Sequence, residues 1–586
     1  MRQLLVAVAL MLASQICAAG GNNPALHKLF ADEWERSLRE SPENASNQGD
    51  TRFNDRWSDM SLASIAASAA ADKAALARLH KIDRKALSET DRLNYDTFEW
   101  QLKQAVTRRQ FREHLSPIGM TTGVQSADGL AQVLSFNTEK DYRDWLARLA
   151  ALPVLVDQNI VLMQEGVKAG ILPPAILMQR ASKQIARQAT GAPTDSAFYQ
   201  PFLTMPEAMP DPQKAALRKD AAQVISEKVM PAYARLGKFF DTVYLPKTRT
   251  TIGLSARPDG KAYYDFLAAY YTTTSLTADA IHAIGVTEVA RIRGRMEEVM
   301  RETGFKGTLP QFFTFLRSDP QFFYKSGPEL LQAYQAMAKR IDPELVKVFS
   351  VLPRLTYGVR PIPDNIAPDT TTAYYQIGSA DGRRPGYYYV NLYKPEVRPT
   401  WEMMALTLHE AVPGHHFQFA RGLELGELPM FRKTAYFVAY SEGWGLYAEQ
   451  LGYDMGLYTN PYDKFGQLTY EMWRAVRLVV DTGMHAKGWS REQAINYFKA
   501  NAPKTEQDIV NEIDRYIDTP GQALAYKIGQ MKISELRKRA SDVLGARFDL
   551  RAFNDEVVGT GSIPLNALEL HIQDWIKREA GRKSLK

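Results

Sequence analysis

The segment LTLHEAVPGHHFQ (406–418) places a His–Glu pair, a Pro–Gly pair and two more histidines within a short span, in a chain with 9 histidines. Groups of this kind suit a metal hydrolase. Such a zinc centre takes three protein ligands and keeps a fourth position open for water. On an unbroken helix it is served by two histidines four residues apart, which point the same way. A glutamate directly after the first then acts as general base on the activated water. His409 and Glu410 fit this scheme, but the next histidines do not. At a separation of six residues, His415 is rotated by roughly 240° from His409. His416 shares the direction of His409 but lies roughly 10.5 Å further along the axis. Zinc holds imidazole nitrogens at about 2.0–2.1 Å, so neither histidine can join His409 on a straight helix. Proline breaks a helical hydrogen bond and glycine tolerates unusual backbone angles. If Pro413 and Gly414 bulge outward, His415 takes the place of the fourth-residue histidine. The competing reading is a helix that ends at Val412, with histidines in the loop that follows.

The third ligand should be an acid on a nearby helix. AYSEGWGLYAEQL (439–451) offers Glu442 and Glu449 on one face. Small residues flank Glu442 (Ser441 and Gly443) and let another backbone approach, so Glu442 is the expected ligand. Glu449 reads as a solvated helix acid. The next helical pattern, QLTYEMWRAVRLVVDTGMHAKGWS (467–490), carries Leu468, Met472, Val476 and Val479 on one side. Another side carries Arg474, Arg477, Asp481 and His485. Such a stripe is ordinarily solvated. In a functional reading Asp481 fixes a ligand imidazole, His485 donates to the oxyanion of a tetrahedral intermediate, and Arg477 holds a substrate carboxylate. In TPGQALAYKIGQMKISELRKR (519–539), Pro520 suits the first turn of a helix. Tyr526 is either an ordinary amphipathic residue or a phenol donor beside the open metal position.

Helices must position these groups. Periodicity predicts them over 61–82, 88–113, 138–166, 212–238, 276–304, 331–349, 402–424, 434–456, 462–487, 504–517 and 522–542. Strand signals are scarce. The best is TTTAYYQIGSADGRRPGYYYVNLY (370–393), two tyrosine-rich runs around Asp381–Gly382, which reads as a hairpin. A strand beside a hydrolytic site can pair with an extended substrate through main-chain hydrogen bonds. Tyr389 and Asn391 of the second run are the substrate-binding candidates. Polar, proline-containing stretches near 206–213 and 354–370 are the expected boundaries. They divide an N-terminal helical region, 20–210, from a catalytic region, 211–586.

The 586 residues exceed one ordinary core and suggest more than one lobe. Charged residues make up 24% and the net charge is +6, with both signs interspersed, which argues against a nucleic-acid binder. The start, MRQLLVAVALMLASQICAAGG, reads as a secretory signal over 1–19, cleaved after Ala19. A membrane anchor and lipid attachment at Cys17 are the rivals; Ile16 before the cysteine disfavours the lipoprotein. Cys17 is the only cysteine, so disulfides and cysteine ligands are excluded. No later apolar stretch is judged long enough to span a membrane. The mature chain is expected to be soluble and periplasmic.

Five segments resemble a bacterial domain-of-unknown-function family, numbered 885. They are HEAVPGHH (409–416), SEGWGLYAE (441–449), RLVVDTGMHAKGWS (477–490), PGQALAYKIGQ (520–530) and, upstream, YYTTTSLTADAIHAIGVTEVARI (270–292). In that pattern the first histidine after the glycine is the constant one, which favours His415 over His416. The family is similar in fold to the helical, grooved metallopeptidases typified by thimet oligopeptidase, angiotensin-converting enzyme and carboxypeptidase Taq. Those carry an unbroken motif, from which the Pro–Gly insertion departs. The resemblance implies a mainly α, large multi-helix, two-lobed fold with a central groove and a small β-hairpin or sheet next to the active-site helix. It also implies peptidase activity, with His485 and Tyr526 as donors across the groove.

The resulting expectation is an exported peptidase for short peptides, with one Zn2+ per chain held by His409, His415 and Glu442. Glu410 is the general base. Substrate contacts fall to Arg477, Tyr389 and Asn391, and Asp481 supports a ligand. A zinc hydrolase of esters or non-peptide amides, and a peptide-binding protein without turnover, are the alternatives.

Overall fold

The computed structural model describes residues 22–582, apart from 365–366, 370, 380–381 and 383. The expected leader, with Cys17, and Asp381 in the expected turn lie outside the described residues. The chain divides into two compact units. One runs to Ile252 and takes in Ala256–Asp259; the other comprises Gly253–Ser255 and the chain from Gly260 onward.

The first unit contains helices α1 (Pro24–Glu40), α2 (Leu62–Leu79), α3 (Glu89–Arg108), α4 (Glu139–Ala169), α5 (Ala175–Gln188), α6 (Asp211–Val224) and α7 (Met230–Phe239). Thr138 starts α4 with a capping box to Asp141, which satisfies backbone N–H groups that the first turn leaves open. The unit extends past residue 210 because α6 and α7 pack on α4, and α7 on α5. Leu217, Ala221, Tyr233 and Leu236 are fully buried there. The proline-containing stretch near 206–213 is therefore a connection within this unit. By length and composition α4 would pass for a membrane-crossing helix, contrary to the sequence expectation, and half of its apolar window is buried. Its residues Tyr142, Trp145, Leu149, Val156 and Leu162 are core residues of the unit.

The second unit carries the segments with chemistry. Its helices include α8 (Gly260–Thr272), α9 (Ala278–Glu302) and α10 (Gly327–Ile341), followed by strands β1 (Tyr357–Pro361), β2 (Ala373–Gln376) and β3 (Gly386–Val390). After them come α11 (Met403–Glu410), α12 (His415–Leu423), α13 (Val438–Asp454), α14 (Pro461–Ala486), α15 (Glu506–Asp518) and α16 (Ala525–Leu544).

The expected hairpin is present as β2 antiparallel to β3, with Ala373 opposite Val390. Among the described residues the sheet has three strands in the order β1-β3-β2. The added strand, β1, runs parallel to β3. It lies in the stretch read as a boundary. It is short, half-exposed and ends at Pro361, so no alternation marks it. On β3, Gly386, Tyr388 and Val390 are buried while Tyr387 and Tyr389 are half-buried, the period of two of a strand with one face on a core. Tyr388 and Val390 join Leu330 and Tyr334 of α10, and Met403 and Leu406 of α11, in one apolar cluster. That cluster fixes β2 beside α11.

Helix α14 is buried on nearly every side from Phe465 to His485. Its polar stripe thus faces protein rather than solvent. Helices α13 and α16 meet at Gly443 and Gly529, where a Cβ on Gly443 would come within 2.5 Å of Gly529 Cα. This close approach brings Glu442 and Tyr526 to one cavity. Pro520 does not open α16, which begins at Ala525 after a 3-10 turn at Gln522–Leu524.

Candidate metal centre

Helix α11 ends at Glu410, and α12 begins at His415. Between them the Phe417 N–H donates to the Ala411 carbonyl at 3.4 Å. A regular helix bonds each N–H to the fourth residue back; this bond spans two residues more. The extra length bulges out at Val412–Gly414, and the Trp444 indole on α13 donates to the Pro413 carbonyl at 2.8 Å and pins it. A Cβ at Gly414 would collide with the carbonyls of Leu408 and His409. Glycine is required there for that close approach, since its φ of −76° is ordinary.

The bulge brings the His409 and His415 rings to 4.7 Å between centroids, at 86° to each other. Glu442 Oε2 lies 3.5 Å from His409 Nε2 and 3.6 Å from His415 Nε2. One donor atom from each of the three residues lies within 4.8 Å of the others. Four donors on arms of about 2.0–2.2 Å around a tetrahedral ion stand roughly 3.3–3.6 Å apart. Two imidazoles and a carboxylate are also a usual zinc donor set. The three residues therefore fit a zinc ion.

His409 Nδ1 donates to Glu449 Oε1 at 2.8 Å, which leaves Nε2 directed at Glu442. Glu449 is fully buried. It occupies the position expected of Asp481: a carboxylate behind a ligand imidazole fixes the tautomer and raises its basicity. A Glu449→Gln chain should bind zinc about 10–100-fold more weakly, measured by competition with a chromophoric chelator. Unchanged affinity would remove Glu449 from that role.

The close packing of imidazoles and carboxylates shifts the titration of both. Burial disfavours charge on His409, but the Glu442 and Glu449 carboxylates outweigh it and push the imidazole up to about 9. Burial raises the Glu442 carboxyl, and His415 and His409 more than reverse this, holding it well below the usual range. His416 differs. Burial pulls it down to about 4, its Nε2 donates to the Leu355 carbonyl, and its Nδ1 accepts from the Tyr375 hydroxyl. His415, not His416, therefore faces Glu442.

The cluster opens on a cavity of about 640 Å³ lined by His409, Glu410, His415, Glu442, Arg477 and Tyr526. Burial and the nearby Glu442 carboxylate raise the Tyr526 phenol, which stays protonated as a donor. The other predicted residues lie outside the lining. His485 Nε2 donates to the Tyr516 carbonyl at 2.9 Å, and its Nδ1 accepts from the Leu254 N–H at 3.1 Å. Asp481 accepts from the Tyr264 hydroxyl at 2.5 Å and the Gly521 N–H at 3.1 Å, and burial pushes its carboxyl up to about 7. Both side chains tie α14 to its neighbours. Tyr389 stacks on Tyr374. The Asn391 amide holds the Ala367 and Thr371 carbonyls. From the sheet it is β2 and its flanks, Thr371–Tyr375 and Ile377, that line the cavity.

Sequence reasoning missed Glu449, Tyr436, Glu512 and Arg515. The signal for Glu449 was present. From Val438 to Leu451 its helix is apolar, aromatic or small apart from Glu442, Glu449 and Gln450, a composition that suits a buried helix, and Glu449 is buried within it. The Tyr436 hydroxyl donates to Glu442 Oε1 at 3.2 Å; no spacing marks it.

The family model described as "Bacterial protein of unknown function (DUF885)" matches residues 42–572. No curated protein matches the chain. A crystal structure of a candidate lipoprotein from Colwellia psychrerythraea is 29% identical, with a TM-score of 0.88, over 94% of this chain and 99% of that one. A candidate lipoprotein of unknown function from Shewanella oneidensis is 17% identical, with a TM-score of 0.74 over 94% and 99% of the two chains, and shows the shared fold.

Proposed function

The chain belongs to this bacterial family of unknown function, and from the cavity we propose that it is an exported, zinc-dependent peptidase acting on short peptides. The observation that carries the reading is the convergence of His409, His415 and Glu442 on one point, with Glu410 lining the same cavity. Bound there, a zinc ion supplies Lewis-acid polarisation of a carbonyl and makes water more acidic. Glu410 takes a proton from the attacking water as its oxygen bonds to the peptide carbon. The C–N bond then breaks, and the same carboxyl passes the proton to the leaving amine. The products are a carboxylic acid and an amine, which leave as a carboxylate and an ammonium once the remaining acid proton passes to the amine. Tyr526 donates to the oxygen that gains charge, a role also open to Tyr436. The β2 edge supplies main-chain groups for an extended substrate, and the cavity volume suits a few residues rather than a folded protein.

The candidate-lipoprotein description of the Colwellia psychrerythraea relative makes Cys17 the alternative point of attachment to the cell envelope.

The test is hydrolysis by the zinc-loaded chain of short peptides, esters and non-peptide amides. Peptide cleavage that a chelator abolishes is expected. Turnover of esters alone would move the chain to another class of hydrolase. Binding of peptides without turnover would make it a binding protein.

A further inference from the structure

Away from the metal residues, the cavity lining turns cationic. Arg474 and Arg477 of α14 and Arg515 of α15 share it with Glu512. Glu512 accepts from Arg477 Nη2 at 2.9 Å and from Arg515 Nη2 at 2.9 Å. Arg477 Nε donates to the Tyr516 hydroxyl at 2.7 Å. One nitrogen of Arg477 remains: Nη1 is buried and has no partner among the described residues. Arg474 is less engaged still. It is 6% exposed, and its Nη1 reaches only the Tyr470 carbonyl, at 3.4 Å. Its Nε is buried without a partner, and no carboxylate pairs with it among the described residues.

A buried guanidinium without an anion is costly, so proteins pair such groups. Aromatic rings close around these two. Arg474 lies over Tyr470 and Trp473 at 4.7 and 5.0 Å, and Arg477 over Trp473 and Tyr526 at 5.0 and 4.4 Å. The rings exclude water and strengthen attraction for an incoming anion. A planar guanidinium edge matches a carboxylate in shape as well as charge.

We propose that Arg474 and Arg477 form a carboxylate subsite that binds the free C-terminus of the peptide, which makes the enzyme an exopeptidase that cuts near that end. The inference rests on the peptidase reading of the same cavity. Tyr526 links the two parts, since its ring lies against Arg477 while it lines the cavity with Glu442.

The test uses the zinc-loaded Glu410→Gln chain, in which turnover is blocked, and calorimetric titration with three probes. These are acetyl-trialanine, its carboxamide, and the carboxamide of acetyl-Ala-Ala-Glu. The free acid should bind at least about tenfold tighter than its carboxamide, as charge-assisted hydrogen bonds predict. Arg474→Gln added to that chain should shrink the ratio to about twofold or less, with the circular dichroism spectrum unchanged. Equal binding of acid and carboxamide, or binding of neither, overturns the subsite, as does a ratio that survives Arg474→Gln. Tight binding of the glutamate carboxamide overturns the assignment to the chain terminus. Arg477 anchors Glu512 and Tyr516, so Arg474 is the cleaner substitution. Hydrolysis of carboxamide peptides by the unsubstituted chain would leave the peptidase reading standing if the subsite failed. A binding preference without hydrolysis would do the reverse.

Discussion

A His409→Ala chain is expected to carry no zinc after purification and to take up none, whereas the unsubstituted chain should hold about one ion per molecule. The substitution removes one of three converging donors, and it also strips Glu449 of the imidazole that it orients. Loss of an outer partner alone costs about 10–100-fold in metal affinity, so loss of a donor exceeds that. Mass spectrometry of the metal content and chelator competition measure the effect, with thermal melting to show that the chain remains folded. Retention of zinc by the His409→Ala chain would end the metal assignment. Loading should also move a proton. Without a bound ion, burial disfavours charge on His409 but the carboxylates outweigh it and push the ring up to about 9, which favours its protonated form at pH 7, while a metal ligand must be neutral. Uptake at pH 7 should therefore release a proton, and affinity should rise as the pH approaches 9. Calorimetry in buffers of different ionisation enthalpy reads that proton.

Glu410→Gln should separate binding from chemistry. The Glu410 side chain lines the cavity but is not one of the three donors, so the variant should keep its zinc. It should lose hydrolysis by about 10²–10⁴-fold, the usual contribution of a positioned acid–base group. Glutamine keeps the size of the side chain and loses the ability to take a proton. Ordinary turnover by this variant would sink the general-base assignment and leave the metal centre intact.

Most helices were legible, because amphipathic periods are local. Those of 139–169, 278–302 and 461–486 lie within a few residues of their predicted bounds. Helices α1, α5 and α8 were missed, α5 despite an apolar face made by Leu177, Met178, Ala181 and Ile185. Strand β1 could not be read, because its partner lies in a segment much further along the chain. Among site residues, the stripe on α14 misled. Arg474, Arg477, Asp481 and His485 occur at helical spacing, yet only the arginines reach the cavity lining. Spacing places residues on a face but does not say which neighbour covers each turn of it.

The amino-acid sequence by itself determined which side chains are available as donors, that no cysteine follows Cys17, and that two imidazoles can converge only with a break at Pro413–Gly414. Helical geometry allows His409 no imidazole partner without that break. Only the tertiary structure decided that His415 faces Glu442, that Glu449 rather than Asp481 stands behind His409, and that β2 rather than β3 meets the cavity. Those outcomes depend on where a side chain points once distant segments pack, and on whether burial leaves it a partner. Both are set by contacts such as Trp444 on the Pro413 carbonyl and Gly443 on Gly529, which no local pattern contains.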